Sequence, residues 1–345
     1  MNRLVVDGSF GEGGGQLLRY AAALSTVKGI DLEVVNIRVN RSNPGLGAQH
    51  LCVLESICKL CNGTLSGGKV GSKKIVFHPG HVCPGEYCFE IGTAGSVTLV
   101  LQALLLSCVG SAGKYIFEVG GGSDVSWSPG WDYFCNVFVV MLKRMGVVVD
   151  CELLKRGYYP KGGGKVKLTC IFPEKLTPLD LPENQRYDLV NGLIHGWGLK
   201  DNVFTRLSHS MKQKAVVFGF LTDIKIQKSK TESIGIGTSL WSYGSSGGVV
   251  GISVLGKKGI SSEKIGTDAM NSLALEMNAG VGVDSLCFDQ ILPFLVLASS
   301  RCQIMIRSLS SHARSAIWLV EKFFGKCVKT TQIDQNHVLV VIFGQ

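Results

Sequence analysis

One order of elements recurs along this chain, and it limits the fold more than any single residue does. Residue periodicity predicts a strand at Leu4–Val6, a helix over 14–27, a strand at Leu32–Ile37, a helix over 47–61, and strands near Thr64–Val70 and Lys74–His78. The order returns as an extended stretch at Tyr87–Glu90, a helix at Ala94–Cys108, a strand at Lys114–Val119, a helix at Trp131–Met145 and strands at Val147–Lys155 and Lys165–Ile171. It returns again as helices at Asp284–Ala298 and His312–Phe324 around a strand at Gln303–Ile306, with strands near Cys327–Gln332 and Val338–Phe343. These read as three copies of one α/β unit, the first two about 85 residues apart.

Between the second and third copies lies a stretch with its own signals: Leu189–Trp197, an amphipathic segment at Thr205–Phe218, strands at Asp223–Gln227, Gly237–Tyr243 and Gly248–Leu255, and a helix from about Ser262 to Asn278. Thr177-Pro178-Leu179-Asp180-Leu181-Pro182-Glu183 reads as the linker before it. The expected fold class is therefore α/β (α+β). Residues 1–185 and 281–345 would form a domain of three repeated units, each a four-stranded sheet plus two helices, and 186–280 a smaller inserted α/β domain.

Composition narrows the class of function. With 345 residues, 46% hydrophobic and 18% charged, the chain can bury a full core. Its longest apolar run, Val97–Val109, is broken by Gln102 and is too short to span a membrane. No signal peptide is visible at Met1-Asn2-Arg3, so an intracellular location is expected, in nucleus or cytoplasm. The twelve cysteines, scattered through apolar positions, read as small core residues in a reducing compartment. A zinc site from Cys58, Cys61, His78, His81, Cys83 and Cys88 is disfavoured, because Cys58 and Cys61 fall near a helix end without a knuckle glycine. A net charge of +9 suits a polyanionic partner.

The densest chemical signal is Asp7-Gly8-Ser9-Phe10-Gly11-Glu12-Gly13-Gly14-Gly15-Gln16-Leu17-Leu18-Arg19, between a strand and a helix. Glycines there let backbone N–H groups approach phosphate at the positive end of the helix. Gly13 and Gly14 lie in this cradle, and Glu12 inside it implies a divalent cation, Mg²⁺ or Mn²⁺, between carboxylate and phosphate. No Gly-Lys-Ser/Thr follows, which excludes a P-loop, and Gln16 replaces the third glycine of a dinucleotide fingerprint.

Arg38 and Arg41, three residues apart after a strand, could grip phosphate. Gly92-Thr93-Ala94-Gly95-Ser96 opens a helix that carries Gln102, and Gly120–Gly122 and Gly162–Gly164 add glycine-rich turns. Ser308-Leu309-Ser310-Ser311-His312 opens the last helix, with Ser310 or Ser311 as its cap. A histidine in a first turn is a nucleophile candidate, because the helix dipole disfavours the imidazolium.

Together these stretches resemble the RNA 3′-terminal phosphate cyclase family. The resemblance runs through Gly11–Arg19, Ile37–Arg41, Pro44–Leu46, Gln49–Leu51, Thr93–Ser96, Arg156–Gly164, Gly256–Gly259, Asp289-Gln290 and His312. The chain departs from the family pattern at Asn40, Gly47-Ala48, Gly122-Ser123-Asp124 and Leu286.

The resemblance implies ATP-dependent closure of an RNA 3′-phosphate to a 2′,3′-cyclic phosphate, by a ligase-type nucleotidyl transferase. It implies that His312 becomes adenylated, that AMP passes to the RNA 3′-phosphate, and that the 2′-hydroxyl then displaces it. Glu12 would hold the metal, Arg19, Arg38 and Arg41 the phosphates, and Gln49, Gln102 and Asp289 would position nucleotide or histidine. Partners would be ATP and RNA with a 3′-phosphate end, and no membrane. The rival branch, a non-catalytic ribosomal RNA processing and assembly factor, is opposed by the presence of both Glu12 and His312.

Overall fold

The computed structural model describes residues 3–181 and 184–344. The first unit runs β1 (Leu4–Asp7), α1 (Gly15–Lys28), β2 (Leu32–Val35), α2 (Ala48–Cys61), β3 (Thr64–Ser66) and β4 (Ile75–His78). Its sheet has the order β1-β2-β4-β3, with β1 parallel to β2 and the other pairs antiparallel.

The second unit repeats that wiring. It comprises β5 (Gly85–Glu90), α3 (Val97–Ser107), β6 (Gly113–Gly121), α4 (131–144), β7 (Val148–Lys155) and β8 (Gly164–Phe172), with sheet order β5-β6-β8-β7. Helix α4 carries a π-helical turn at Phe134–Phe138.

After β9 (Asp180–Leu181) come β10 (Leu189–Trp197), α5 (Asp201–Phe218), β11 (Leu221–Lys228), β12 (Gly235–Tyr243), β13 (Val249–Leu255) and α6 (Ser262–Ala279). The chain then continues through α7 (Ser285–Val296), β14 (Cys302–Ile306), α8 (Ser311–Phe324), β15 (Val328–Asp334) and β16 (His337–Ile342). The third sheet has the order β15-β16-β14-β9, the same wiring read from the other edge. The intervening sheet, β11-β10-β12-β13, is wired differently, with β10 between a parallel β11 and an antiparallel β12.

Several expected boundaries shift, each for a local reason. Asp180 and Leu181, expected in a linker, pair in parallel with Gln303 and Ile304 and supply the first strand of the third unit. Pro182 and Glu183 of that linker, and Met1, Asn2 and Gln345, lie outside the described residues. The strand expected to reach Ile37 stops at Val35, because Asn36 and Arg38 both turn at φ 53° and Ile37 donates its N–H to Lys73. The strand expected to reach Val70 stops at Ser66, before Gly67 at φ 78°. Of the twelve cysteines, Cys61, Cys108, Cys170, Cys287, Cys302 and Cys327 are buried as expected, whereas Cys83 and Cys88 are exposed.

Helix α1 is the hub of the large core. Every residue from Leu17 to Thr26 is buried, and the helix packs against α2, α3 and α8, so helices of all three units touch it. Burying each of its leucines contributes about 1.5–3 kcal/mol, which fixes where the helix, and the glycine loop at its start, must sit. A separate hydrophobic cluster, including Val190, Phe204, Leu207, Met211, Leu240 and Met270, lies within the differently wired part. Among the described residues no helix is long and apolar enough to cross a membrane.

Candidate active site

The glycine loop is pressed onto α8 of the third unit. Phe10 stacks on Trp318 with ring centroids 3.9 Å apart, and a Cβ at Gly11 would fall 2.2 Å from Ser315 Oγ. Gly11 and Gly13 take left-handed φ values of 60° and 57°, a backbone that glycine adopts without strain. Gly13 is a turn residue away from the cleft wall: its N–H donates to the Phe10 carbonyl at 3.1 Å. Gly14 is on the wall, where an added Cβ would lie 3.1 Å from Arg41 Nη2.

That contact brings Glu12 to the start of α8. Its carboxylate lies 3.2 Å from His312 Nε2 and 3.5 Å from Arg41 Nη2, and it accepts a short hydrogen bond from Ser311 Oγ. The other ring nitrogen, His312 Nδ1, is 3.1 Å from Gln16 Oε1. The imidazole is thus gripped on both sides by residues of the first unit, although it belongs to the third.

Of the two serines expected to cap α8, Ser310 does so: its Oγ accepts the N–H of Ala313 at 2.9 Å. The same hydroxyl donates to Asp289 Oδ1 at 2.8 Å. Burial, reinforced by the nearby charges of Asp284 and Glu12, pushes the Asp289 carboxyl up to about 7, against the pull of the Ser310 bond.

The three expected arginines surround the same cleft. Arg19 is only 7% exposed, its Nε has no hydrogen-bond partner among the described residues, and burial lowers its pKa. A buried cation with an unsatisfied N–H is costly, and an incoming anion removes that cost. Arg38 donates to the Gly45 carbonyl at 2.8 Å, which aims the guanidinium without neutralising its charge.

His50 sits among these cations. Burial, then the charges of Arg19 and Arg38, push its pKa down to about 3, so it is neutral. Its Nδ1 accepts the Gly47 N–H at 3.1 Å, which puts the proton on Nε2, beside Gly15.

Gln49 Oε1 accepts the Ser96 N–H at 3.0 Å and ties the second glycine-rich turn to α2. Gln102, buried within α3, hydrogen-bonds Gln290, the neighbour of Asp289. The resulting cleft has a volume of about 860 Å³, and Glu12, Arg19, Arg38, Arg41, Gln49, Gln102, Asp289 and His312 all line it.

Of the two carboxyl groups lining the cleft, Glu12 is the one on the glycine loop, a single donor that fits a cation completed by phosphate oxygens. Among the described residues the one gathered trio of metal-ligand side chains is elsewhere, at Asp124, Asp132 and His195. Arg156 Nη1 already lies 2.7 Å from Asp124 and 3.0 Å from Asp132, so that trio is a buried ion-pair network. Cys58, Cys61, His78, His81, Cys83 and Cys88 form no such group among the described residues.

A family model described as RNA 3′-terminal phosphate cyclase matches residues 10–330, so it takes in the loop, the arginines and His312. The chain belongs to this family. Proteins named RNA 3′-terminal phosphate cyclase are similar over almost their whole lengths. That of Korarchaeum cryptofilum is 39% identical, covering 94% of this chain and 92% of its own. That of Archaeoglobus fulgidus is 40% identical, with 97% and 99% covered. That of Pyrococcus furiosus is 38% identical, with 98% of each covered.

Within this cyclase-family chain, the motifs read from sequence left Gln16 and His50 without a role and did not link Ser310, expected as a cap, to Asp289. Gln16 had a readable signal, since it follows the glycine run directly and starts the helix whose next turn carries Arg19. The Ser310–Asp289 contact had none, because it joins the cap of one helix to the second turn of another.

Proposed function

We propose that this chain is an ATP-dependent RNA 3′-phosphate cyclase, a ligase-type nucleotidyl transferase working through a covalent histidine–AMP. The observation that carries the reading is His312, held between Gln16 and Glu12 at the edge of a cleft that contains three arginines, one of them buried with its Nε unsatisfied among the described residues. The names of the relatives support the overall reaction.

ATP binds with its phosphates against Gly14 and the guanidinium groups of Arg19, Arg38 and Arg41. Gln16 accepts from His312 Nδ1–H, which makes Nε2 the attacking nitrogen; Glu12, 3.2 Å from it, must turn aside for the α-phosphate to reach it. His312 Nε2 attacks the α-phosphorus: an N–P bond forms, the bond to the bridging oxygen breaks, and pyrophosphate leaves with the electron pair. A 3′-phosphate oxygen of RNA then displaces the histidine and takes the AMP. Finally the 2′-hydroxyl attacks the 3′-phosphorus, loses its proton and expels AMP, closing the ring. The arginines stabilise the charge that builds on phosphate oxygens in each step. Mg²⁺ or Mn²⁺ on Glu12 would supply further charge neutralisation.

On this reading 1–185 and 281–345 form the catalytic domain and 186–280 the insert, a division supported by the two separate hydrophobic clusters. The test is RNA carrying a labelled 3′-phosphate, incubated with the protein, ATP and Mg²⁺. Cyclase activity makes the label resistant to phosphatase only when ATP is present. Label that stays phosphatase-sensitive under all conditions refutes the reading.

A further inference from the structure

Trp127 is 99% exposed, although the side chain is among the most apolar and the chain elsewhere buries Trp131 and half-buries Trp318 and Trp241. Its backbone is also held at φ 67°, a left-handed conformation that a bulky side chain rarely adopts. Neither feature helps the fold, and each persists only because the neighbours enforce it.

The enforcement is visible on both sides. Ser128 Oγ donates to the Val125 carbonyl at 2.9 Å, and Thr98 Oγ1 donates to the Pro129 carbonyl at 2.9 Å. The Trp131 N–H reaches Asp124 Oδ1 at 3.3 Å, and Asp124 is itself locked by the buried Arg156. A rigid turn thus presents a bare indole on the wall of the cleft that contains Arg19, Arg38 and Arg41.

We propose that Trp127 is a stacking platform for a base of the RNA strand whose 3′-phosphate end enters the cleft. This rests on the cyclase reading. An indole accepts the π-face of any base, so it holds a strand without selecting its sequence, as suits an enzyme that acts on an end. A ring open to water on both faces fits a polymer passing over the rim and out to solvent. An enclosed nucleotide pocket would instead cover one face of the ring. The cations deeper in the cleft give the polyanion its direction.

The test compares wild type with W127F, W127A and W127G in two assays. One is transfer of label from α-labelled ATP to protein without RNA; the other is binding of a short single-stranded 3′-phosphate RNA at fixed salt, read by fluorescence anisotropy. Glycine accepts the left-handed backbone, so W127G removes the ring without adding strain. The expected result is about a tenfold loss of RNA affinity in W127A and W127G, a small loss in W127F, and wild-type labelling in all three. Wild-type RNA affinity in W127G overturns the proposal. So does reduced labelling with unchanged RNA affinity, which would assign the ring to the adenine of ATP. If the wild type neither labels nor binds the RNA, the cyclase reading itself fails and takes this proposal with it.

Discussion

Asp289 accepts a 2.8 Å hydrogen bond from Ser310 Oγ, the same atom that caps the helix carrying His312. The aim of the imidazole therefore depends on a buried carboxyl of another helix. That carboxyl titrates near 7 when folded, against an ordinary value of 3.8.

The raised value fixes a pH dependence. Between about 4 and 7 the folded protein keeps a proton on Asp289 that the unfolded chain has lost. The associated stability is complete below the unfolded value and is lost as pH rises through 7. Asp289→Asn removes this slope while leaving an acceptor for Ser310. Melting curves from pH 5 to 9 are expected to show the variant gaining on wild type as pH rises; a constant difference would contradict the assignment.

Arg19→Gln separates stability from ligand binding. It removes a buried cation whose Nε has no hydrogen-bond partner among the described residues, so the ligand-free melting temperature is expected to hold or rise. ATP with Mg²⁺ at about a hundred times Kd stabilises a binding protein by about 2.7 kcal/mol, and the variant is expected to lose most of that. Thermal shift with and without ATP checks both halves.

Gly15→Ala places a Cβ 2.2 Å from His50 Nε2 and 3.0 Å from Arg19 Nη1, so one of them must move. The expected cost is about 1–3 kcal/mol with at least a tenfold loss of ATP-dependent labelling. Gly29→Ala is the matched comparison. Its added Cβ meets nothing within 4 Å and only the φ of 62° is strained, so about 1 kcal/mol is lost and labelling survives.

Arg156→Ala leaves Asp124 and Asp132 buried without the guanidinium that lies 2.7 and 3.0 Å from them. Removing one partner of a buried pair costs about 3–5 kcal/mol. Urea unfolding is expected to show the largest drop among these variants.

The parts of the fold legible in the sequence were those written in local pattern. The repeated strand–helix order, the glycine loop and the paired arginines all reside in short windows. The strand Asp180–Leu181 was not legible, because two residues carry no alternation and only pairing with Gln303 and Ile304 defines them. The wiring of the 186–280 sheet was equally hidden, since β10 lies between β11, to which it runs parallel, and β12, to which it runs antiparallel, and local pattern does not give that strand order. In the site, contacts such as Gln102 with Gln290 join residues 188 apart, and no spacing rule reaches that far. Trp127 passed unnoticed because its left-handed backbone and bare ring are properties of the folded turn alone.

With His312 as the nucleophile, α-labelled ATP and Mg²⁺ are expected to leave acid-labile label on the wild-type protein without RNA, and none on a folded His312→Ala variant that still binds ATP. Equal label on His312→Ala, or none on a folded, ATP-binding wild type, would contradict that role.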